Sequence, residues 1–416
     1  MMPVATSFLP QGLGARVVIQ WLICLTSMLG CSTPHSTTPE CTELVLWHAY
    51  ENGGVEHAFL TQSLARYQAE HPTVSVRAVS VPFEPFANKI NVSVPRGNGP
   101  DVFIFAHDAV GDWAAKKIVE PLGPWVDAAW LDDIQPSALD AFVYRRELYG
   151  IPNTAKTLGL YYRPEVIKIP AQSTRVLKRQ VLEFRQRNPG GVGLAYDVDD
   201  LFFHAPWLLG FGGRLLDDDA LIFDRKPYVD GLIGSLEFVK TWVDEGIVPA
   251  DTNYDSVKAK FQRGEVAYVM SGPWFATGLA PESFRVTPLP FISEANDAPA
   301  RPFMTVEGLY LSRYSSQKFE ALNLIRFLTS SRESNRRKEV VGDVLTRLDL
   351  GPATTSSMTA FEAQLKTAIP TPNDPKMKAM WTPLNRVLSE VVKRKMPPQD
   401  AIDEARLLLD RAGGVE

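Results

Sequence analysis

Residues 43–79 read ELVLWHAYENGGVEHAFLTQSLARYQAEHPTVSVRAV. Two β-rich runs, Leu44-Val45-Leu46-Trp47 and Val74-Ser75-Val76-Arg77-Ala78-Val79, flank a stretch where Val55, Phe59, Leu60, Leu64 and Tyr67 recur at helical spacing. This predicts a β-α-β unit. A third apolar run, Asp101-Val102-Phe103-Ile104-Phe105, follows the turn Gly97-Asn98-Gly99-Pro100 and leads into a helix-like stretch from Val110 to Ile118. Strands alternating with helices argue for an α/β protein with a mainly parallel sheet, and such sheets place ligands at the carboxyl ends of their strands. His48 to Asn52 and Ala106 to Ala109 are therefore the first places to look for a site.

Further along, Thr174 to Arg187, Val229 to Glu245 and Ser315 to Ser331 read as helices, and Gly264 to Met270 and Gly308 to Ser312 as strands. Met377 to Lys393 puts Met380, Trp381, Leu384, Val387, Leu388 and Val391 on one broad face, and Pro397-Pro398 restarts a final helix ending near Gly413. The Pro-rich stretches near 121–124, 369–375 and 397–398 read as turns.

The chain's 416 residues suggest two or three structural units. With 45% hydrophobic and 22% charged residues it has the composition of a folded globular protein. Its 43 basic and 48 acidic residues leave a net charge of −5, and basic runs such as Arg336-Arg337-Lys338 read as solvated helix faces, so a nucleic-acid partner is not expected.

Before the first strand, Val17 to Leu29 is apolar but shorter than the roughly 20 residues that a membrane span requires, so residues 1–30 read as a secretory signal. Met28-Leu29-Gly30-Cys31 resembles the lipobox of bacterial lipoproteins, with Met28 where leucine is usual. Residues 31–42 then form a polar tether, and the protein is expected to be exported, periplasmic and lipid-anchored through Cys31. Three cysteines, Cys24, Cys31 and Cys41, exclude a disulfide scaffold and a Cys-based zinc cluster.

No Walker A loop, Gly-x-Ser-x-Gly elbow or His-Glu-x-x-His pair is present, and no cofactor or metal is expected. Gly210-Phe211-Gly212-Gly213 ends a helix-like stretch and reads as a turn. His107-Asp108 is either an acid–base pair or a strand-end contact. Glu51, Asp199 and Asp200 suit either glycoside hydrolysis or hydroxyl recognition, with helix capping a third role for Asp199.

Several stretches together resemble the bacterial maltose/maltodextrin-binding protein family, the extracytoplasmic solute receptors of ABC sugar importers. They are Gly99-Pro100-Asp101-Val102-Phe103-Ile104-Phe105-Ala106-His107-Asp108, then Leu148-Tyr149-Gly150-Ile151-Pro152 with Leu158-Gly159-Leu160-Tyr161-Tyr162, then Asp251-Thr252-Asn253-Tyr254-Asp255 with Phe261-Gln262-Arg263-Gly264-Glu265 and Ser271-Gly272-Pro273-Trp274, and finally Met380-Trp381. The likeness runs from about Glu43 to Leu409.

The resemblance implies a two-lobed α/β fold of the type II periplasmic-binding class with the ligand cleft between lobes. The N-terminal lobe would comprise 43–153 plus 307–347 and the C-terminal lobe 154–306 plus 348–416. Sugar rings stack their C–H faces on aromatics while their hydroxyls need hydrogen-bond partners. Carried over, Trp274 and Trp381 would be the main platforms, with Phe105 at a family tryptophan position and Phe202 at a family tyrosine position; each aromatic also fits core packing. Glu51, Asp108 and Asp200 would accept from hydroxyls. Asn52 stands where the family has a lysine, Ala109 and Asn385 where it has arginines, and Lys156 where it has a glutamate, which points to altered sugar specificity.

The expected function is thus a monomeric, non-enzymatic receptor that delivers maltose- or maltodextrin-like oligosaccharides to an ABC permease. The alternatives are a secreted carbohydrate-active enzyme, or the same fold binding another disaccharide or glycoside.

Overall fold

The computed structural model describes residues 41–217, 220–221 and 226–412. The expected signal, Cys31 and all but the end of the tether lie outside the described residues. Cys41 is exposed and free.

The β-α-β opening forms as β1 (Thr42–His48), α1 (Val55–Glu70) and β2 (Val74–Ser80), with β1 and β2 parallel and in register from Thr42↔Val74 to His48↔Ser80. A helix that the sequence reading did not identify, α2 (Phe83–Ser93), then precedes β3 (Val102–Ala106), which pairs parallel with the other edge of β1. Helix α3 (Val110–Ala115) stops short of the expected Ile118, because Lys117 turns into the left-handed region at φ 56° and sends Val119 to bridge Ser312.

Strand β4 (Ile151–Lys156) passes through Thr157-Leu158 into β5 (Gly159–Tyr162), which belongs to a second sheet. That sheet is built from α4 (Thr174–Arg187), β6 (Val192–Ala195), α5 (Leu201–Gly210), α6 (Lys226–Asp244), β7 (Val266–Ser271) and β8 (Arg285–Thr287), with strand order β8-β5-β7-β6. The chain returns in β9 (Phe303–Leu311), longer than the expected Gly308–Ser312, which lies antiparallel to both β3 and β4. The expected helix Ser315–Ser331 is two helices, α7 (Lys318–Leu328) and α8 (Ser331–Val340), because the Ser330 side chain accepts from Glu333 N and caps a new start. Helix α9 (Ser356–Leu365), strand β10 (Ile369–Pro370) on β9, and helices α10 (Pro375–Val392) and α11 (Pro398–Ala412) complete the chain.

The first sheet is therefore ordered β10-β9-β3-β1-β2 with β4 on β9. Both sheets are mixed rather than mainly parallel, since β9 and β5 are entered directly from the other sheet and run against their neighbours.

Period-two alternation splits the strands of the first sheet between two cores. Leu44, Leu46, Val102, Ile104, Leu309 and Leu311 pack with Leu60, Leu64, Leu324 and Ile325, while Trp47, Phe103, Phe105 and Tyr310 face Phe86, Ile90 and Trp113. A third core joins α5, α6, α10 and α11 through Leu201, Leu208, Leu236, Met380, Leu384 and Ile402. It fixes the face of α10 that carries Trp381.

Candidate functional site

Strand β3 ends in Phe105-Ala106 and passes into a helical turn, His107–Ala109. The buried His107 accepts from Val306 N at Nδ1 (3.0 Å) and holds Thr371 O from Nε2 (2.8 Å), tying the end of β3 to β9 and to the residue after β10. Burial pushes its pKa down, and both ring nitrogens are engaged by backbone groups, the geometry of a strand-end contact. Asp108 borders a recess of about 180 Å³ whose walls include Phe83, Glu84, Phe105, Lys378 and Trp381. Burial raises the Asp108 carboxyl, and its Oδ1 is enclosed without a hydrogen-bond partner. Phe105 is only 5% exposed: Phe86 stacks on it at 4.5 Å and 6°, and Phe83 at 4.8 Å and 27°.

A row of rings leads away from this recess. Trp381 meets Phe303 edge-on at 6.1 Å, Phe303 lies 6.4 Å from Phe202, and Phe202 lies 6.1 Å from Trp274. Phe303 is buried, Phe202 and Trp381 are half-buried, and Trp274 is 39% exposed. Trp274 follows the carboxyl end of β7, where the strand rule places ligands. Its ring lies against Gly272, so closely that a Cβ there would overlap it.

Asp200 and Asn385 share one task. The Asp200 carboxylate accepts from Phe202 N (2.7 Å) and Asn385 Oδ1 from Leu201 N (2.8 Å), so both cap the first turn of α5 and hold Phe202 in the row. Burial raises the Asp200 carboxyl. Asp199 is engaged by Lys393 Nζ at 2.7 Å.

At the end of β4, Lys156 Nζ lies 2.8 Å from Glu56 Oε1 and 3.9 Å from Glu307 Oε2. Burial by itself would lower its pKa, and the two carboxylates outweigh that and raise it. Arg337 completes the cluster, 2.7 Å from Asp343, 3.7 Å from Glu307 and 3.0 Å from the Tyr50 hydroxyl, which donates to Glu307 at 2.6 Å. Glu51 and Asn52 are exposed in the loop before α1, where Gly53 turns the chain at φ 81°.

The model of the family described as bacterial extracellular solute-binding protein matches residues 53–334. The chain belongs to that family. A maltotriose-binding protein of Pyrococcus abyssi is 25% identical to this solute-binding protein over 370 residues, covering 84% of this chain and 78% of the relative. A galactooligosaccharide-binding protein of Bacillus subtilis is 24% identical over 400 residues, 91% of this chain and 92% of the relative. The Thermus thermophilus maltotriose binding protein, solved with maltotriose, superposes with a TM-score of 0.76 at 23% identity, covering 89% of this chain and all of that one (100%). The fold is thus the type II solute-binding fold expected from sequence.

Within this solute-binding protein the structure brings Trp274, Phe202 and Trp381 into one row, and Phe105, Asp108 and Trp381 around one recess. Lys156 belongs to a separate ionic cluster. The sequence reading missed Phe83, Phe303 and the partners Glu56 and Glu307, and it read Arg336-Arg337-Lys338 as a solvated helix face, whereas Arg337 and Lys338 are buried in ion pairs and hydrogen bonds. Phe83 was legible in principle, since Pro82 followed by Phe83, Phe86 and Ile90 has helix-start chemistry and helical spacing. Glu56 and Arg337 had no local signal. Among the described residues no cluster of three or more His, Cys, Asp or Glu could hold a metal, and no helix is long and apolar enough to cross a membrane.

Proposed function

We propose that this chain is the extracytoplasmic receptor of an ABC importer and captures a maltodextrin-like oligosaccharide along the row from Trp274 to Trp381. The row is the observation that carries the reading. Separate half-open rings, one beside a buried carboxylate with a free lone pair, suit successive pyranose units whose C–H faces stack while their hydroxyls donate. The maltotriose-binding relative supports the ligand class. The galactooligosaccharide-binding relative, with Lys156 and Asn385 both engaged within the protein, favours a second reading in which the linkage or sugar differs.

The two sheets serve as the cores of two lobes, 43–153 plus 307–347 and 154–306 plus 348–416, except that the end of β4, the start of β9 and strand β10, which fall in the second set, pair in the first sheet. A ligand touching both favours their closure by its differential affinity, and the permease then distinguishes loaded from empty receptor. The receptor acts as a monomer, exported by residues 1–30 and held at a membrane by lipid on Cys31. Hydrolysis is not favoured: Asp200 is spent on capping and Glu51 is exposed in a loop. A calorimetric screen of mono- and oligosaccharides tests the reading; it expects tight binding of at least one oligosaccharide, recovered intact, and absence of binding or steady turnover refutes it.

A further inference from the structure

The recess that Trp381 borders is lined by two further aromatic residues, and only one of them has a face to offer. Phe105, at the end of β3, is covered by Phe86 and Phe83 and keeps 5% of its surface in water. Phe83, the first residue of α2, is 56% exposed while its ring is held on the Phe105 ring. An exposed phenyl fixed by stacking has already lost its rotamer freedom, so a ligand ring that covers it gains the buried area without a further ordering cost. Around it the recess supplies what sugar hydroxyls require. Lys378, a donor, and Glu84, an acceptor, line it, and Asp108, whose Oδ1 is buried with no donor of its own, borders it.

We infer that Phe83, backed by Phe105, is the aromatic platform on this side of the cleft, and that a pyranose ring of the bound oligosaccharide sits between Phe83 and Trp381 with a hydroxyl donated to Asp108. This rests on the receptor reading above and adds a subsite to it. Phe105 acts as the support that presents Phe83.

Calorimetry on the purified protein with maltose, maltotriose, maltotetraose and a galactooligosaccharide supplies the test, using whichever sugar the wild type binds most tightly. Phe83→Ala is expected to weaken that sugar about tenfold and Phe83→Leu, which keeps bulk but no ring face, about fivefold, while Phe83→Tyr stays within about twofold. Melting temperatures should move little for all three, since the side chain is more than half exposed. If Phe83→Ala and Phe83→Leu bind as the wild type does, Phe83 is no platform and the receptor reading stands. If the wild type binds none of the four sugars, the receptor reading fails and the subsite with it.

Discussion

The indole ring of Trp274 rests on the α-carbon of Gly272, two residues before it, in the space that any Cβ at 272 would fill. Glycine here is a packing requirement of the neighbouring ring, since φ at Gly272 is −87° and strains no residue. Gly272→Ala is therefore expected to swing the indole off its seat. Because Trp274 is 39% exposed, the fold should lose little, but sugar affinity should fall by about 1–2 kcal/mol. Calorimetry beside a thermal melt checks this, and unchanged affinity would mean that Trp274 makes no ligand contact.

Trp381 sits where the aromatic row meets the recess lined by Phe83. Trp381→Ala removes a ring face from both, so a loss of about 2–3 kcal/mol in oligosaccharide binding is expected. A maltodextrin titration that gives the wild-type constant would move the ligand elsewhere.

The family resemblance sets Lys156 where a glutamate is expected, which points to a role in sugar specificity. The Lys156 ammonium instead neutralises Glu56 and Glu307, and Lys156→Glu would set four carboxylates, its own with Glu56, Glu307 and Asp343, against Arg337. Fully buried pairs cost about 3–5 kcal/mol when one partner goes. Here the side chains keep 22% and 28% exposure, so a loss near 2 kcal/mol in urea unfolding is expected. Equal stability of the variant would show that solvent already screens the pair.

His204 lies buried on α5 with Nε2 3.0 Å from Ser235 Oγ, and burial pushes its pKa down to about 3. The unfolded chain binds this proton near pH 6.5 and the fold does not, so the contribution is complete above pH 6.5 and drains away as pH falls toward 3. The slope is about 1.4 kcal/mol per pH unit. Unfolding curves at pH 7 and pH 4.5 should show a smaller acid loss in His204→Gln than in the wild type, by roughly 2–3 kcal/mol. Parallel losses would mean that His204 is protonated in the fold.

If lipid on Cys31 holds the protein at a membrane, Cys31→Ala should appear in the soluble fraction or as unprocessed precursor. Each acyl chain contributes about 0.8 kcal/mol per buried CH₂, so two chains anchor firmly. Wild-type protein found free and unacylated would remove the anchor.

Much of the fold was legible because it is written in short-range periodicity. Leu44, Leu46, Val102 and Ile104 alternate as strands must, and Thr174 to Arg187 was bounded to the residue because Ser173 caps it and its apolar spacing is helical. The helix break at Ser330 and the length of β9 were not legible. A serine inside a helical pattern becomes a cap only when the chain turns there, and Phe303 to Glu307 reads as strand only because β4 lies beside it to receive its hydrogen bonds.

The sequence by itself determined the α/β class, the carboxyl-end loops where a ligand would be met, and the motifs that carry Trp274 and Trp381. Those signals depend on residues a few positions apart. Only the tertiary structure decided which aromatic faces are open and which charges are already spent. Phe105 and Phe83 are equally aromatic in the sequence, but α2 folds over the end of β3 and covers the first while presenting the second. Lys156 finds Glu56 one hundred positions earlier, because β4 and the start of α1 arrive at the same edge of the sheet. Exposure and electrostatic pairing are properties of surfaces brought together across the chain, and no local pattern encodes them.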